Sequence, residues 1–341
     1  MPADRLFLNL TVVTIVFALV VIVLGAYTRL SHAGLGCPDW PGCYGKLVVP
    51  ADDVRVAEAN QLYPDRPLDH GKAWKEMLHR YVAGGLGLLI LAMAVIAWNR
   101  RKVPGQPLWV PIILLGLVIF QALLGMWTVT LLLKPIVVMG HLLGGMTILL
   151  LLFWQWLAYR YGKPAGKTRT MSGRMYPWAL LGLAVVYLQI SLGGWTSANY
   201  AALACPDLPT CQGSWWPAMD FREGFIPWRG LGIDYEFGIL HAEARTAIHV
   251  SHRLGAVLTL FAVIAIAIGA MRDNNNKVKQ TGLLLLLLVL VQFCLGVANI
   301  VFVVPIAVAT AHNAVASLLL AGMGVLLFHT KFSSSRTGGD F

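Results

Sequence analysis

The chain has 341 residues, 57% hydrophobic and 12% charged, with a mean hydropathy of +0.69. No soluble globular domain requires that much apolar surface, so the composition points to a polytopic membrane protein. The formal net charge of +10 does not signal nucleic acid, because the cations collect behind alternate apolar runs instead of forming one basic face.

Eight runs reach the ~20 residues needed to cross a bilayer and are predicted as helices. The first runs from Leu6 to Thr28. No small-residue cleavage site follows it, so a retained helix is expected, not a signal peptide. The segment 29–75 then carries Cys37-Pro-Asp-Trp-Pro-Gly-Cys43. The second span, Met77–Trp98, opens on Glu76-Met77-Leu78-His79-Arg80 and is followed by Arg100, Arg101 and Lys102. The third, Trp109–Val129, contains Gln121 and Gly125. The fourth, Val137–Tyr159, contains Gly140-His141 and precedes Arg160, Lys163, Lys167, Arg169 and Arg174. After the fifth, Pro177–Thr196, the segment 197–246 carries Cys205-Pro-Asp-Leu-Pro-Thr-Cys211. The sixth, Ile248–Ala270, opens on His249-Val250-Ser251-His252-Arg253 and precedes Arg272, Lys277 and Lys279. The seventh, Gly282–Val303, contains Gln292, Cys294 and Gly296. The eighth, Ile306–Phe328, contains His312 and is followed by Lys331 and Arg336.

Cations after every even span place those ends, and both termini, in the cytoplasm. The expected location is a bacterial-type inner membrane, with both cysteine segments outside. An oxidising compartment favours disulfides Cys37–Cys43 and Cys205–Cys211 over a shared four-thiolate metal site. Whether the pairs are structural or cycle with thiols stays open. Cys294 is expected as a small buried apolar residue, and Trp98, Trp109, Trp178 and Trp195 as an interfacial belt.

A shift of 168 residues lays Gly25–Gly45 on Gly193–Gly213 with ten of twenty-one positions identical. Further on, His79-Arg80 matches His252-Arg253, Gln121 and Gly125 match Gln292 and Gly296, and His141 matches His312. The expected fold is therefore an all-α integral membrane protein, with eight transmembrane helices as two pseudo-symmetric four-helix bundles. Their bounds are 1–165 and 170–330, with a cytoplasmic tail at 331–341. Even-numbered repeats enter the membrane in one sense, so the pseudo-twofold axis runs along its normal.

An imidazole in a bilayer is costly without a partner and marks a function. His79 and His141 lie 62 residues apart, and His252 and His312 lie 60 apart, all within about two turns of the same end of their spans. Two such pairs at one depth point to two bis-histidine metal sites, most simply two haems. His32, His70, His241 and His329 lack this support and are expected as solvated loop or terminal residues. His249, one turn before His252, leaves the second ligand set open, although the following Arg253 favours His252. For Arg80 and Arg253 two readings stand, snorkelling to headgroups and pairing with haem propionates. Gln121 and Gln292 are expected to hydrogen-bond between helices. Gly84-Gly85 and Gly144-Gly145 are read as points of close approach of helices or of a flat cofactor.

The halves differ at three informative places: Glu76 against His249, Arg29 against Ser197 and His32 against Tyr200. Glu76 shares a helix face with His79. Beside a haem edge its carboxylate would move a proton, orient water or stabilise positive charge; the alternative is a headgroup-level surface acid. The first half looks equipped for chemistry and the second for holding a cofactor or carrying electrons.

With Gly25, Thr28-Arg29-Leu30, both cysteine loops, Glu76-x2-His79-Arg80, Gly140-His141, His249-x2-His252-Arg253 and His312 in this order, nearly the whole chain resembles the haem A synthase family. The resemblance implies haem O as substrate, liganded by His79 and His141, and haem A as product. It implies a haem b held by His252 and His312, and Glu76 as the catalytic residue. It also implies two hydroxylations of the C8 methyl, through a gem-diol that loses water to leave a formyl group, for terminal-oxidase biogenesis. Haem O synthase and terminal-oxidase assembly factors follow as partners, beside the lipid bilayer and an electron donor the sequence does not name. A homo-oligomer is compatible with the sequence. An iron with two histidine ligands has no open position, so either a histidine leaves or the methyl is oxidised by electron removal and attacked by water. The other classes are a di-haem b membrane electron carrier and a haem transporter or chaperone. The carrier explains the four histidines but makes no use of Glu76 or the cysteine loops.

Overall fold

The computed structural model describes residues 5–103, 105–161 and 174–331. Lys163, Lys167, Arg169, Arg336 and all of the tail except Lys331 lie outside the described residues. Among the described residues eight helices are long and apolar enough to cross a membrane: α1 (Arg5–Leu30), α3 (His70–Asn99), α4 (Trp109–Thr130), α5 (Pro135–Arg160), α6 (Tyr176–Ala198), α8 (Ala242–Met271), α9 (Asn276–Val301) and α10 (Ile306–Lys331). Two short helices, α2 (Asp53–Leu62) and α7 (Phe221–Gly224), lie in the long connecting segments. Among the described residues there is no β-strand, only isolated bridges Cys43–Lys46 and Cys211–Ser214.

The helices form two rings with the same order of neighbours. In the N-terminal set, α1 packs on α3, α3 on α4, α4 on α5 and α5 on α1. In the C-terminal set the ring is α6, α8, α9, α10 and back to α6. Contacts of α10 with α1 and α5, and of α5 with α6, join the sets. The backbone repeats too: positive φ occurs at His32 and Tyr200, at Tyr44 and Gln212, and at Leu132-Leu133 and Val303-Val304. A β-branched valine in this region is strained, yet the turn before each last helix adopts it.

Packing is uneven along the membrane normal. The ends remote from the cysteine loops are filled, by Phe7, Ile90, Leu114 and Leu152 in one set and by Val263, Leu285, Leu320 and Met323 in the other. The ends beside the loops enclose a cavity. The long segments cap it: Arg66 pairs with Asp234 at 2.7 Å and Glu236 at 3.0 Å, and Tyr235 N–H donates to Leu132 O at 3.0 Å.

Two helices begin well before their apolar runs. α3 starts at His70, where hydropathy predicts Met77, and α8 starts at Ala242, where it predicts Ile248. Asp69 caps α3 by accepting from Lys72 N–H at 3.0 Å, a standard N-terminal stop signal. The added turns bury Ala73 and Met77 against Cys37 and Cys43, and Ala244 and Ile248 against Trp195 and Leu240. Membrane length alone does not see this packing. It places His79 and His252 in the third turn of their helices, while His141 and His312 are in the second.

Candidate haem sites

A cavity of about 2280 Å³ occupies the hollow end and is lined by His79, His141, His252 and His312 together. It exceeds twice the usual upper size of a single small-molecule pocket, roughly 1,000 Å³, and both helix sets contribute walls. The histidine rings are seated alike. A Cβ at Gly25 would lie 2.9 Å from His79, at Gly125 3.3 Å from His141, at Gly193 3.1 Å from His252 and at Gly296 3.3 Å from His312. Each imidazole thus lies against bare backbone of the neighbouring helix; a Cβ would collide at Gly25 and crowd the ring at the other three.

The ring centres of His79 and His141 are 6.4 Å apart. Two axial imidazoles, each with a nitrogen about 2 Å from a metal, have ring centres roughly 6 Å apart, so the separation fits one metal between them. The buried Nδ1 atoms of His79, His141 and His312 have no hydrogen-bond partner. In the C-terminal set, the Gln189 amide lies 3.0 Å from His252 Nδ1 and donates to His252 O at 3.0 Å. Gln292 Nε2 lies 3.2 Å from His312 Nε2, while Gln121 packs on Gly144 with its amide nitrogen unpartnered. Among the described residues no three His, Cys, Asp or Glu side chains cluster as a protein-only metal site. Paired imidazoles across an apolar cavity are the donor set of a macrocyclic metal.

Both cysteine pairs are disulfides, with Cα–Cα distances of 4.8 Å for Cys37–Cys43 and 4.6 Å for Cys205–Cys211, which rules out the four-thiolate metal site. Asp39 braces its loop by accepting from Tyr44 N–H at 2.6 Å and Gly45 N–H at 2.8 Å. Asp207 does the same from Gln212 and Gly213. Its hydrogen bond from the Thr210 hydroxyl, then that from Gly213, hold its carboxyl down at about 2. Arg80 donates to Asp39 O at 2.9 Å, Pro41 O at 3.3 Å and Gly42 O. Arg253 donates to Thr210 O at 2.8 Å and Cys205 O at 2.7 Å. Neither guanidinium snorkels; both tie the helix that carries the histidine to the loop above it.

Glu76 is only 5% exposed, which removes the surface-acid reading. One oxygen accepts from Cys37 N–H at 2.9 Å and the other from Arg80 at 2.6 Å. His249, its counterpart, is equally buried, and its Nδ1 lies 2.8 Å from Ala201 O. Both residues line the cavity.

His32 is an exposed turn residue, as expected, that also lines the cavity and stacks on Tyr200. Two further expectations change. Cys294 is exposed on α9, which costs an apolar thiol nothing where lipid is the neighbour. Trp195 is buried and donates to Gly224 O at 2.8 Å, whereas Trp98, Trp109 and Trp178 are exposed. Gln189 carries no motif signal, because its repeat position in the first half is Val21.

Known proteins bear on this arrangement directly. The COX15-CtaA family model, described as cytochrome oxidase assembly protein, matches residues 8–323. The haem A synthase of Shewanella oneidensis is 44% identical over 327 residues, 95% of this chain and 97% of that protein. The chain belongs to the haem A synthase family. More distant haem A synthases include that of Caulobacter vibrioides, 28% identical with 91% of each chain covered, and that of Halalkalibacterium halodurans, 23% identical over 88% of this chain. The resemblance noted from the motifs thus extends along the whole bundle, and the protein is a multi-pass membrane protein.

Proposed function

We propose that the protein is a haem A synthase, oxidising a methyl group of haem O to a formyl group. The single observation that carries this reading is the duplicated histidine pair in one cavity of a haem A synthase family member. The two four-helix sets divide the work, residues 1–165 holding the substrate and 170–330 the cofactor. His79 and His141 hold haem O. His252 and His312 hold a haem b, whose chemistry when bound is to carry electrons. Net oxidation of methyl to formyl takes up one water and releases four protons and four electrons. It proceeds by two hydroxylations, and the gem-diol then loses water.

Asymmetry between the sets supports the assignment. Glu76 supplies a carboxylate at the wall of the first site, where the second has His249. It is positioned to accept the protons released at the methyl, or to face positive charge developing there. Arg80 and the Cys37 amide hold its two oxygens, so the disulfide loop fixes where the acid points. Arg80 and Arg253 are tied to their loops, but Arg253 uses one N–H on each Nη and its buried Nε has no partner, so donors remain for a propionate.

The cation distribution supports an inner-membrane location with both termini in the cytoplasm and the cysteine loops outside. Cysteines introduced at Trp215 and Arg101, both exposed, test this. An impermeant maleimide added outside should label Trp215→Cys and spare Arg101→Cys; the reverse pattern refutes the orientation. The function is tested by extracting and separating the haems of purified protein. Haem O or haem A beside haem b supports the synthase, whereas haem b alone, with no conversion of added haem O, favours the electron carrier.

A further inference from the structure

The cavity is deeper in the N-terminal set, and on two helices only. Its lining on α3 runs to Leu91, twelve residues beyond His79, whereas on α8 it stops at Leu260, eight beyond His252. On α4 it starts six residues before Gln121, at Leu115; on α9 it starts only three before Gln292, at Val289. The remaining helices match: Ala18 and Val186 each lie seven residues before the histidine-seating glycines, and Ile148 and Leu319 each lie seven beyond their histidines. At about 1.5 Å per helical residue the extra depth along α3 is about 6 Å, and it follows the seam between α3 and α4.

The sequence supplies the cause. The register that lays His79 on His252 lays Gly84 on Val257 and Gly87 on Leu260. The register that lays Gln121 on Gln292 lays Ala122 on Phe293. All six residues line the cavity. A Cβ added at Gly84 or Gly87 would meet nothing within 4 Å, so these positions are empty space that the C-terminal set fills with side chains.

Haem O and protohaem present the same type of iron to a histidine pair. They differ in the long isoprenoid-derived chain that only haem O carries, so the ligands cannot tell them apart. Resting on the function proposed above, we infer that the α3–α4 groove holds this chain. Gly84, Gly87 and Ala122 admit it, and Val257, Leu260 and Phe293 exclude it from the cofactor site. Lipid is as apolar as the groove, so seating the chain adds little hydrophobic affinity; the groove acts by excluding at one site what it admits at the other. It also fixes direction. A macrocycle held only by two axial ligands can turn about their common axis, and a seated chain stops that rotation and presents one ring edge to Glu76.

The test uses the full-length protein in nanodiscs, with Gly87→Leu/Ala122→Phe carrying the C-terminal set's residues. Haem O and protohaem are titrated separately and read from the absorbance of the newly bound haem, and the resident haem b spectrum reports folding. The double variant should lose haem O affinity about tenfold or more, with protohaem affinity unchanged. Unchanged haem O affinity overturns the groove, and so does an equal loss of both haems. If the double variant fails to keep its haem b, Ala122→Phe alone is read by the same criteria. Wild-type protein that prefers haem O but makes no haem A would refute the proposed reaction and leave the groove standing.

Discussion

The rings of His32 and Tyr200 lie 5.9 Å apart at an interplanar angle of 6°, and these residues occupy the same place in the repeat. Next to them Arg29 donates to the carbonyl of its own counterpart, Ser197, at 2.8 Å and lies 4.2 Å from the Tyr200 ring centre. Counterparts from the two sets touch one another here, so this cluster is a seam between the halves. Tyr200→Ala should cost about 1–2 kcal/mol through the lost cation–π and ring contacts. Tyr200→Phe should be neutral or slightly stabilising, because the Tyr200 hydroxyl is buried without a partner. Thermal unfolding in detergent would check both, and equal losses in the two variants would show that the hydroxyl, not the ring, matters.

The same seam makes stability depend on pH. Burial, then Arg29 and Lys72, lower the His32 pKa below its usual 6.5, with Glu236 opposing them. The folded state therefore favours the neutral ring. Its contribution is present above the unfolded value and is lost as pH falls through the lowered one. His32→Gln should flatten the stability profile on the acid side of neutrality. An unchanged slope between neutral and mildly acid pH would assign the dependence to other groups.

Seating of the histidines on glycine gives a third prediction. Gly193→Ala pushes a Cβ to within 3.1 Å of His252, so the ring must tilt or the helices must part. Either change should weaken haem binding in the C-terminal set or alter its spectrum. Gly116→Ala, where an added Cβ meets nothing within 4 Å and which does not line the cavity, is the control and should leave the spectrum unchanged. A normal haem spectrum in Gly193→Ala would mean that the imidazole is not fixed by its glycine.

Much of this was legible in the sequence, for identifiable reasons. Eight long apolar runs have few alternatives to membrane helices, and the repeat pairs His79 with His252 and His141 with His312 without any knowledge of packing. Helix starts at His70 and Ala242 were not legible, because they depend on Ala73 and Ala244 packing beneath loops. Burial of Glu76 and the bonds of Arg80 and Arg253 follow from those extra turns. A charged residue near a membrane end reads as exposed until the loop that covers it is known. Gln189 had no signal of its own, since the repeat can only flag what is duplicated.

Glu76 provides the sharpest test of the chemistry. Glu76→Gln retains an oxygen able to accept from Cys37 N–H, so the loop anchor survives, while the ion pair with Arg80 and the titratable proton are lost. Arg80 still has the carbonyls of Asp39, Pro41 and Gly42, so the stability cost should stay near 1–3 kcal/mol. Haem content should be unchanged. Haem A formation should fall by about 10²–10⁴-fold, the usual worth of a positioned proton acceptor, with haem O or a hydroxylated product accumulating. Arg80→Lys separates position from charge: it keeps a cation but has one nitrogen, so it cannot hold the loop carbonyls and the Glu76 carboxylate together as Nη1 and Nη2 do. If the loop holds the acid in place, this variant should lose activity too, while keeping a titratable Glu76. A Glu76→Gln protein that converts haem O at the wild-type rate would show the carboxylate to be a structural brace for the Cys37 loop and nothing more.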